Sequence, residues 1–198
     1  MTGWGIEGFS GMRGACGLSH NTASRGRLAT GAARSPAAFA IASMPDFHPL
    51  SPPSYQPSCE LCREAGGVLV FQSAQWRVIR AEDAAFPAFY RVVWRAHVAE
   101  WSDLALVEQA SLMGAVSAVE RVLRDALAPT KINLASLGNV VPHLHWHVIA
   151  RFDWDSRFPS PVWAAAQRPA DPQREQAIAQ RLPVLEREMI QHLATRSF

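Results

Sequence analysis

Hydrophobic and polar positions divide the chain into an unpatterned first quarter and a patterned remainder. Short runs of β-branched and aromatic residues, bounded by polar or proline-containing turns, predict strands at residues 68–71, 76–81, 90–94 and 131–137. The run 143–150 starts by alternating histidine with apolar residues, which is the pattern of a half-buried strand. This run is the clearest of the five predicted strands.

Two longer segments have the spacing of amphipathic helices. Apolar residues recur at helical spacing from Ser102, a capping residue, to about Leu127, and Pro129 lies just beyond. Asp171, followed by a proline, predicts the start of a C-terminal helix that Pro183 should kink. Short strands around one long helix, without regular strand–helix alternation, predict an α+β fold with a mainly antiparallel five-stranded sheet and a C-terminal helix.

Composition along the chain predicts three regions. Residues 1–57 are rich in glycine and arginine and then in proline, so we expect a disordered extension and a stiff linker. Residues 58–165 form the predicted folded domain, and residues 166–198 form a helical tail. We expect translation to start at Met44, with a transit peptide or a signal segment as the alternatives for the preceding stretch.

Overall composition excludes several classes of protein. Of the 198 residues, 48% are hydrophobic and 18% are charged, which is the balance of a globular domain and excludes disorder throughout. No uncharged apolar run reaches the roughly 20 residues of a membrane span, so no membrane partner is expected. Residues 1–43 carry a net charge of +3 and the remainder −1, which argues against long nucleic acid as the main partner.

The three cysteines are Cys16, Cys59 and Cys62. An odd number, with two in a Cys-x-x-Cys pair, does not resemble the disulfide framework of a secreted protein. It fits a reducing compartment, so we expect a cytoplasmic protein. There the pair serves either as a metal clamp or as a redox couple, and we expect no role for Cys16.

Three of the seven histidines lie within five residues. Because successive side chains of a strand point to opposite faces, His143, His145 and His147 should share one face. The apolar residues between and after them should pack on the core from the other face; these are Leu144, Trp146 and Val148. Three imidazoles at this spacing can converge on one phosphate or on one metal ion, so a catalytic metal site is an alternative to a phosphate site.

The alternation His-φ-His-φ-His-φ-φ, where φ is apolar, resembles the signature of the histidine-triad (HIT) superfamily of nucleotidyl hydrolases and transferases. Other residues occur in the order that the family shows, over about residues 59–165. They are the pair Cys59 and Cys62, His97 before the long helix, Asn133 on the preceding strand, and Gly138-Asn139 just before the triad. The resemblance implies a HIT-like fold, a nucleotide substrate and a homodimer.

The resemblance also implies a role for each residue of a catalytic site that contains the whole triad. His145 would attack the α-phosphorus of a purine nucleotide conjugate, and His147 would donate to a phosphate oxygen. Gly138, Asn139 and Asn133 would contact phosphate or ribose. We expect hydrolysis of a dinucleoside polyphosphate such as diadenosine tetraphosphate. A nucleoside phosphoramidase, a nucleotidyltransferase and a non-catalytic nucleotide-binding module are the alternatives.

In HIT proteins with a Cys-x-x-Cys pair, two cysteines and two histidines hold a structural zinc ion. Here the resemblance assigns these roles to Cys59, Cys62, His97 and His143, the last of which would be held beside the nucleophile. No organic cofactor is expected. In HIT dimers, C-terminal residues can approach the partner's nucleotide site, and residues 158–163 are the candidates.

Some positions depart from the family pattern. Val140 and Val141 stand where phosphoramidase members carry a hydroxyl residue that helps the leaving group depart. Trp146 is bulkier than the usual aliphatic residue between the second and third histidines. Arg151, just after the triad strand, is either a further phosphate contact or a solvated charge.

Overall fold

The computed structural model describes residues 55–196. The predictions for most of the N-terminal extension, for a start at Met44 and for Cys16 therefore lie outside the described residues. None of the helices in the described range combines the length and the hydropathy of a membrane-spanning segment.

Five strands form one antiparallel sheet in the order β1-β2-β3-β5-β4. The strands are β1 (Val68–Gln72), β2 (Trp76–Arg80), β3 (Phe89–Trp94), β4 (Lys131–Ala135) and β5 (His145–Arg151). The helices of the described range are α1 (Glu60–Arg63), α2 (Leu106–Leu127) and α3 (Pro172–Ala194). The predicted α+β fold, with its five-stranded antiparallel sheet, is confirmed.

The long helix starts later than predicted. Ser102 lies in a short 3₁₀ turn, Trp101–Asp103, and α2 begins at Leu106. The reason is a different cap: the Glu108 carboxylate accepts a hydrogen bond from the Ala105 backbone N–H at 2.9 Å. The predicted end at about Leu127 is correct.

The triad strand also starts later, because His143 and Leu144 belong to the preceding loop. The His143 N–H donates to the Val141 carbonyl of the same loop at 2.8 Å, and the Leu144 N–H donates to the Val98 carbonyl of the loop after β3 at 2.7 Å. The prediction of a strand from His143 was therefore wrong by two residues. The bounds of the other strands differ from the prediction by two residues or fewer.

The main core lies between the sheet and the two long helices. Apolar residues of β1, β2, β3 and β5 that point to this face pack against α2 and α3. Leu144 and Val148 are buried in this layer and Trp146 is half-buried at its edge, as the alternation predicts. Fully buried members of this layer include Val70, Val78, Val92, Leu112, Val119, Leu185 and Met189.

The C-terminal helix is anchored to the sheet by a polar contact as well as by the core. Asp171 caps it by accepting from the Arg174 N–H at 3.1 Å, and the helix continues through Pro183. In its second half the buried Glu186 accepts hydrogen bonds from Arg80 at 2.7 Å and from the Tyr90 hydroxyl at 3.1 Å. These contacts leave the opposite face of the sheet for the histidines.

Candidate functional site

His145 and His147 point away from the α2 layer, on the opposite face of the sheet. In the strand register they lie opposite Val93 and Arg91 of β3, and Ala135 of β4 lies opposite His147. Their ring centroids are 4.9 Å apart. Each side chain keeps a narrow exposed strip, with 8% of the residue accessible. Two of the three predicted imidazoles therefore form one adjacent pair.

The hydrogen bond of His145 fixes its tautomer. Nδ1 lies 2.6 Å from the backbone carbonyl oxygen of His143, and a carbonyl can only accept, so Nδ1 carries the hydrogen. The lone pair is then on Nε2. Burial is the main cause that lowers the pKa of His145 below 6.5, and the charge of Arg91 acts in the same direction. A neutral imidazole with a free Nε2 lone pair is a competent nucleophile.

His147 has neither nitrogen engaged. Nδ1 and Nε2 are both buried and have no hydrogen-bond partner among the described residues. The ring packs edge-on against Phe89, with the centroids 5.2 Å apart. Burial, followed by the neighbouring His145 and Arg91, lowers the pKa of His147 to about 4. At neutral pH the ring therefore offers one N–H donor and one lone pair to a ligand.

His143 belongs to a different group of side chains. Its Nε2 donates to the Trp94 carbonyl oxygen at 2.7 Å, which leaves the lone pair on Nδ1. Nδ1 lies 3.4 Å from Cys59 Sγ and 3.5 Å from Cys62 Sγ, and His97 Nδ1 lies 3.5 Å from Cys62 Sγ. One ligand atom from each of these four residues lies within 4.8 Å of the others.

This cluster fits a tetrahedral metal ion. Zinc bonds of about 2.3 Å to sulfur and about 2.1 Å to nitrogen place a sulfur and a nitrogen ligand about 3.6 Å apart. The sulfur–nitrogen separations of 3.4 and 3.5 Å in this cluster are close to that value. Both cysteines and His143 are buried, and the Gln56 N–H donates to Cys62 Sγ at 3.5 Å. Burial raises the pKa of the Cys62 thiol, so a nearby cation would be needed to hold it as the thiolate.

Arg77 holds the cysteine turn against the sheet. Its buried guanidinium donates to the carbonyl oxygens of Leu61 at 2.7 Å, Glu64 at 3.2 Å and Ala65 at 3.2 Å. Burial lowers the pKa of Arg77 to about 10, and its positive charge favours the thiolate of Cys62. The turn between Cys59 and β1 is thereby fixed beside His143.

Arg151 is not a solvated charge, so that alternative was wrong, and its contact with phosphate stays a prediction. It is 1% exposed and forms an ion pair with Asp155 through bonds of 2.8 and 3.0 Å. Its Nη1 donates to Asn133 Oδ1 at 2.8 Å. A guanidinium has no acceptor, so Asn133 must turn its oxygen to Arg151 and keep its NH₂ group for another partner. Asn133 lies opposite Ile149, on the face of the histidine pair.

The loop between β4 and β5 contains the other predicted contacts. Gly138 has a φ of 78°, a conformation that favours glycine. Asn139 is exposed and makes no hydrogen bond within the described residues, so its contact with phosphate stays a prediction. Val140 is exposed, and Val141 packs against the cysteine cluster. Neither valine brings a hydroxyl group to the site.

The segment after β5 lies next to the site of its own protomer. Trp163 is 62% exposed and lines a cavity together with Pro159, Asn133 and Ile149. A contribution of residues 158–163 to a partner's site stays a prediction.

Arg91, which lies directly opposite His147 on β3, was not among the residues predicted from the sequence. The one available signal was a charged residue within the apolar run 90–94. Its meaning depends on which strand pairs with the triad strand, and sequence alternation alone does not supply that pairing.

The HIT domain family model matches residues 63–154, a range that contains His97 and the triad but not Cys59 and Cys62. A histidine triad protein of Bradyrhizobium japonicum is 32% identical, with a TM-score of 0.54 over 70% of this chain and 99% of that one. A second, from Sinorhizobium meliloti, is 28% identical, with a TM-score of 0.52 over 64% of this chain and 91% of that one.

A third histidine triad protein, from Marinobacter aquaeolei, is 29% identical, with a TM-score of 0.50 over 63% of this chain and 92% of that one. No curated protein matches the chain. These structural relatives agree with the antiparallel α+β fold and with the family match. The chain belongs to the HIT family.

Proposed function

We propose that the protein is a nucleotide hydrolase in which His145 attacks the α-phosphorus of a purine nucleotide conjugate. The observation that carries this proposal is the bond of His145 Nδ1 to the His143 carbonyl oxygen at 2.6 Å. It leaves Nε2 as a lone-pair nitrogen beside the unpartnered nitrogens of His147. An in-line nucleophile next to a donor for the non-bridging oxygens is what phosphoryl transfer needs.

The reaction has two displacements. His145 Nε2 forms a bond to the α-phosphorus while the bond to the leaving phosphate chain breaks, which gives a nucleotidyl-histidine. Water then attacks the same phosphorus, the N–P bond breaks, and the nucleoside monophosphate leaves. His147 donates its N–H to a non-bridging oxygen, and the NH₂ group of Asn133 is a second donor.

Dinucleoside polyphosphates are the favoured substrates because of the leaving group. A phosphate chain departs as a stable anion, whereas an amine must receive a proton as it leaves. Val140 and Val141 provide no hydroxyl group for that proton transfer. A nucleotidyltransferase would use the same intermediate with an acceptor other than water.

The test is turnover of diadenosine tetraphosphate and of adenosine phosphoramidate by the purified protein. We expect AMP and ATP from the tetraphosphate, at a higher kcat/KM than that of the phosphoramidate. Faster cleavage of the phosphoramidate would assign the protein to the phosphoramidases. AMP binding without turnover of either compound would favour the non-catalytic module.

Zinc is the metal that the donor set fits best, so Cys59, Cys62, His97 and His143 are its proposed ligands. Two thiolates balance the charge of the ion and two imidazoles complete the tetrahedron. With four protein ligands the site has no open position, so zinc would supply structure and no catalytic water. The metal alternative, a catalytic ion on the triad itself, would need at least three converging ligands that include His145 and His147, and the ligand cluster found within the described residues contains neither.

The outer edge of β4 supports a homodimer. Within the described residues β4 pairs only with β5, which leaves its other edge without a strand. Leu134 and Leu137 are 41% and 47% exposed there. A second copy that pairs along β4 would cover this edge. Light scattering on the full chain should give the mass of two copies, and the mass of one copy would exclude this dimer.

A further inference from the structure

Three buried nitrogens on the histidine face have no hydrogen-bond partner among the described residues. They are Nε of Arg91 and both ring nitrogens of His147. The two residues are direct cross-strand neighbours of β3 and β5, so their side chains leave the sheet side by side. Buried donors without partners are rare in folded proteins, and a group of them on one face indicates a missing ligand.

One aromatic ring holds both side chains in place. Arg91 Cζ lies 5.4 Å from the centroid of the Phe89 ring, and the His147 ring is 5.2 Å from the same centroid. Arg91 is anchored at its tip, where Nη1 donates to the Gly66 carbonyl oxygen at 3.4 Å. The Nε–H group is therefore held beside the imidazole.

The charge of Arg91 is also unmatched. No ion pair within the described residues includes Arg91, although Glu60 and Asp83 are near enough to act on its charge from a distance. Arginine stays protonated in proteins, and burial keeps the His147 imidazole neutral at neutral pH. The histidine face therefore carries a fixed positive charge with no internal counter-charge in contact.

We propose that Arg91 and His147 form an anion subsite that binds the non-bridging oxygens of a substrate phosphoryl group. The inference rests on the proposed function and deepens it: the subsite selects nucleotides with a highly charged phosphate chain over nucleosides and over phosphoramidates. Arg91 Nε–H and the His147 N–H donate to phosphoryl oxygens, and the guanidinium supplies the charge that the neutral His147 ring lacks.

The test compares the affinities of AMP and adenosine in Arg91→Gln, measured by calorimetry. We expect the dissociation constant of AMP to rise by about 10- to 100-fold, the range for loss of a charge-assisted hydrogen bond. The adenosine constant should stay within about twofold, because adenosine has no phosphate. The matched control is Arg95→Gln, which removes the same charge just after β3, where Arg95 binds the carbonyls of Ser73 and Ala74.

A second variant, Arg91→Lys, keeps the charge and most of the stem and serves if the glutamine variant does not fold. It should lose less AMP affinity than Arg91→Gln and none for adenosine. An unchanged AMP affinity, or an equal loss for AMP and adenosine, would overturn the subsite. Failure of the wild-type protein to bind AMP would instead overturn the proposed function itself, and the subsite with it.

The kcat/KM values for two substrates provide a second test of the anion subsite. In Arg91→Gln the kcat/KM for diadenosine tetraphosphate should fall more than that for adenosine phosphoramidate, so the ratio of the two should drop. A ratio equal to that of the wild type would show that Arg91 does not select for the charged chain.

Discussion

The imidazole of His145 is oriented by the backbone of His143, whose carbonyl oxygen lies 2.6 Å from His145 Nδ1. The side chain of His143 is held in turn by the Trp94 carbonyl and lies between the two cysteines. The candidate nucleophile and the candidate metal site are thus joined through one residue. Disturbing the cysteine cluster should therefore affect the orientation of His145 as well as folding.

Replacement of His145 by alanine should abolish turnover while it spares nucleotide binding. Without Nε2 no nucleotidyl-histidine can form, so we expect kcat to fall by about 1,000-fold or more. Arg91, His147 and Asn133 remain to bind AMP, so its affinity should change little. Steady-state kinetics and calorimetry measure the two effects. Turnover close to that of the wild type would identify a different nucleophile.

Metal content separates the structural site from a catalytic one. The wild-type protein and His145→Ala should each contain about one zinc ion per chain, and Cys59→Ser should contain almost none. A metal present at about 1,000 times its dissociation constant adds about 4 kcal/mol to stability, so Cys59→Ser should also melt at a lower temperature. Elemental analysis and calorimetry provide the readouts.

Cys16→Ser is the control for the cysteine variant and should keep its zinc. Zinc that is lost from His145→Ala but kept in Cys59→Ser would reverse the assignment and favour a metal on the triad.

Arg151 bonds to both Asn133 and Asp155, and variants at these positions should separate an effect on stability from an effect on substrate binding. Asn133→Asp keeps an oxygen for Arg151 but replaces the NH₂ donor by a carboxylate oxygen that repels phosphate. We expect stability close to that of the wild type and a KM increase of about 10-fold or more. Steady-state kinetics and urea unfolding test both parts. A normal KM would mean that Asn133 does not contact the substrate.

Arg151→Met should instead destabilise the fold. It leaves the carboxylate of Asp155, 3% exposed, without its ion-pair partner. Breaking a buried pair from one side costs about 3–5 kcal/mol, which urea unfolding can measure. Equal stability of Arg151→Met and the wild type would show that the ion pair contributes little.

The pH dependence of activity should have its acid limb below pH 6.5. Burial lowers the pKa of His145 below 6.5, so the nucleophile stays unprotonated until the pH falls under that value. The kcat/KM of the free enzyme should therefore be flat around neutral pH and decline only on further acidification. An acid limb centred at pH 7 or above would contradict a buried neutral His145.

The free energy of unfolding should also depend on pH, through the buried His147. The pKa of His147 is about 4 in the folded protein and 6.5 when unperturbed, so between these values the unfolded chain binds more protons. The stability contributed by neutral His147 is present above pH 6.5 and is lost as the pH falls through 4. His147→Gln should reduce this dependence in urea unfolding measured across the same range, and an unchanged dependence would exclude His147 as its source.

Much of the fold could be predicted from local pattern. The alternation in 143–150 gave the correct faces for Trp146 and Val148, because side chains on a strand alternate whatever the strand pairs with. The start of α2 could not be predicted from Ser102. The Glu108 carboxylate accepts a hydrogen bond from the Ala105 N–H, and this cap sets the first turn of the helix at Leu106. The sheet order depends on long-range pairing, which has no local signal.

The candidate site was also predicted only in part, because some of its contacts join residues whose proximity has no local signal in the sequence. The resemblance grouped Cys59 and Cys62 with two histidines, and the structure places these four ligand atoms together. The alternation placed His143 on the triad strand, whereas its backbone N–H bonds to Val141 within the preceding loop and the strand begins at His145. Arg151 was misjudged because its partner Asp155 lies in the following loop, where spacing alone does not show an ion pair.

Trapping the covalent intermediate would identify the nucleophile, which we assign to His145. Diadenosine tetraphosphate labelled in the adenosine moiety is mixed with the full chain, the reaction is quenched within one turnover, and peptides are sequenced by mass spectrometry. We expect a mass increase of one AMP group on His145, absent from His145→Ala. Label on another residue, or turnover with no labelled protein at any time, would contradict it.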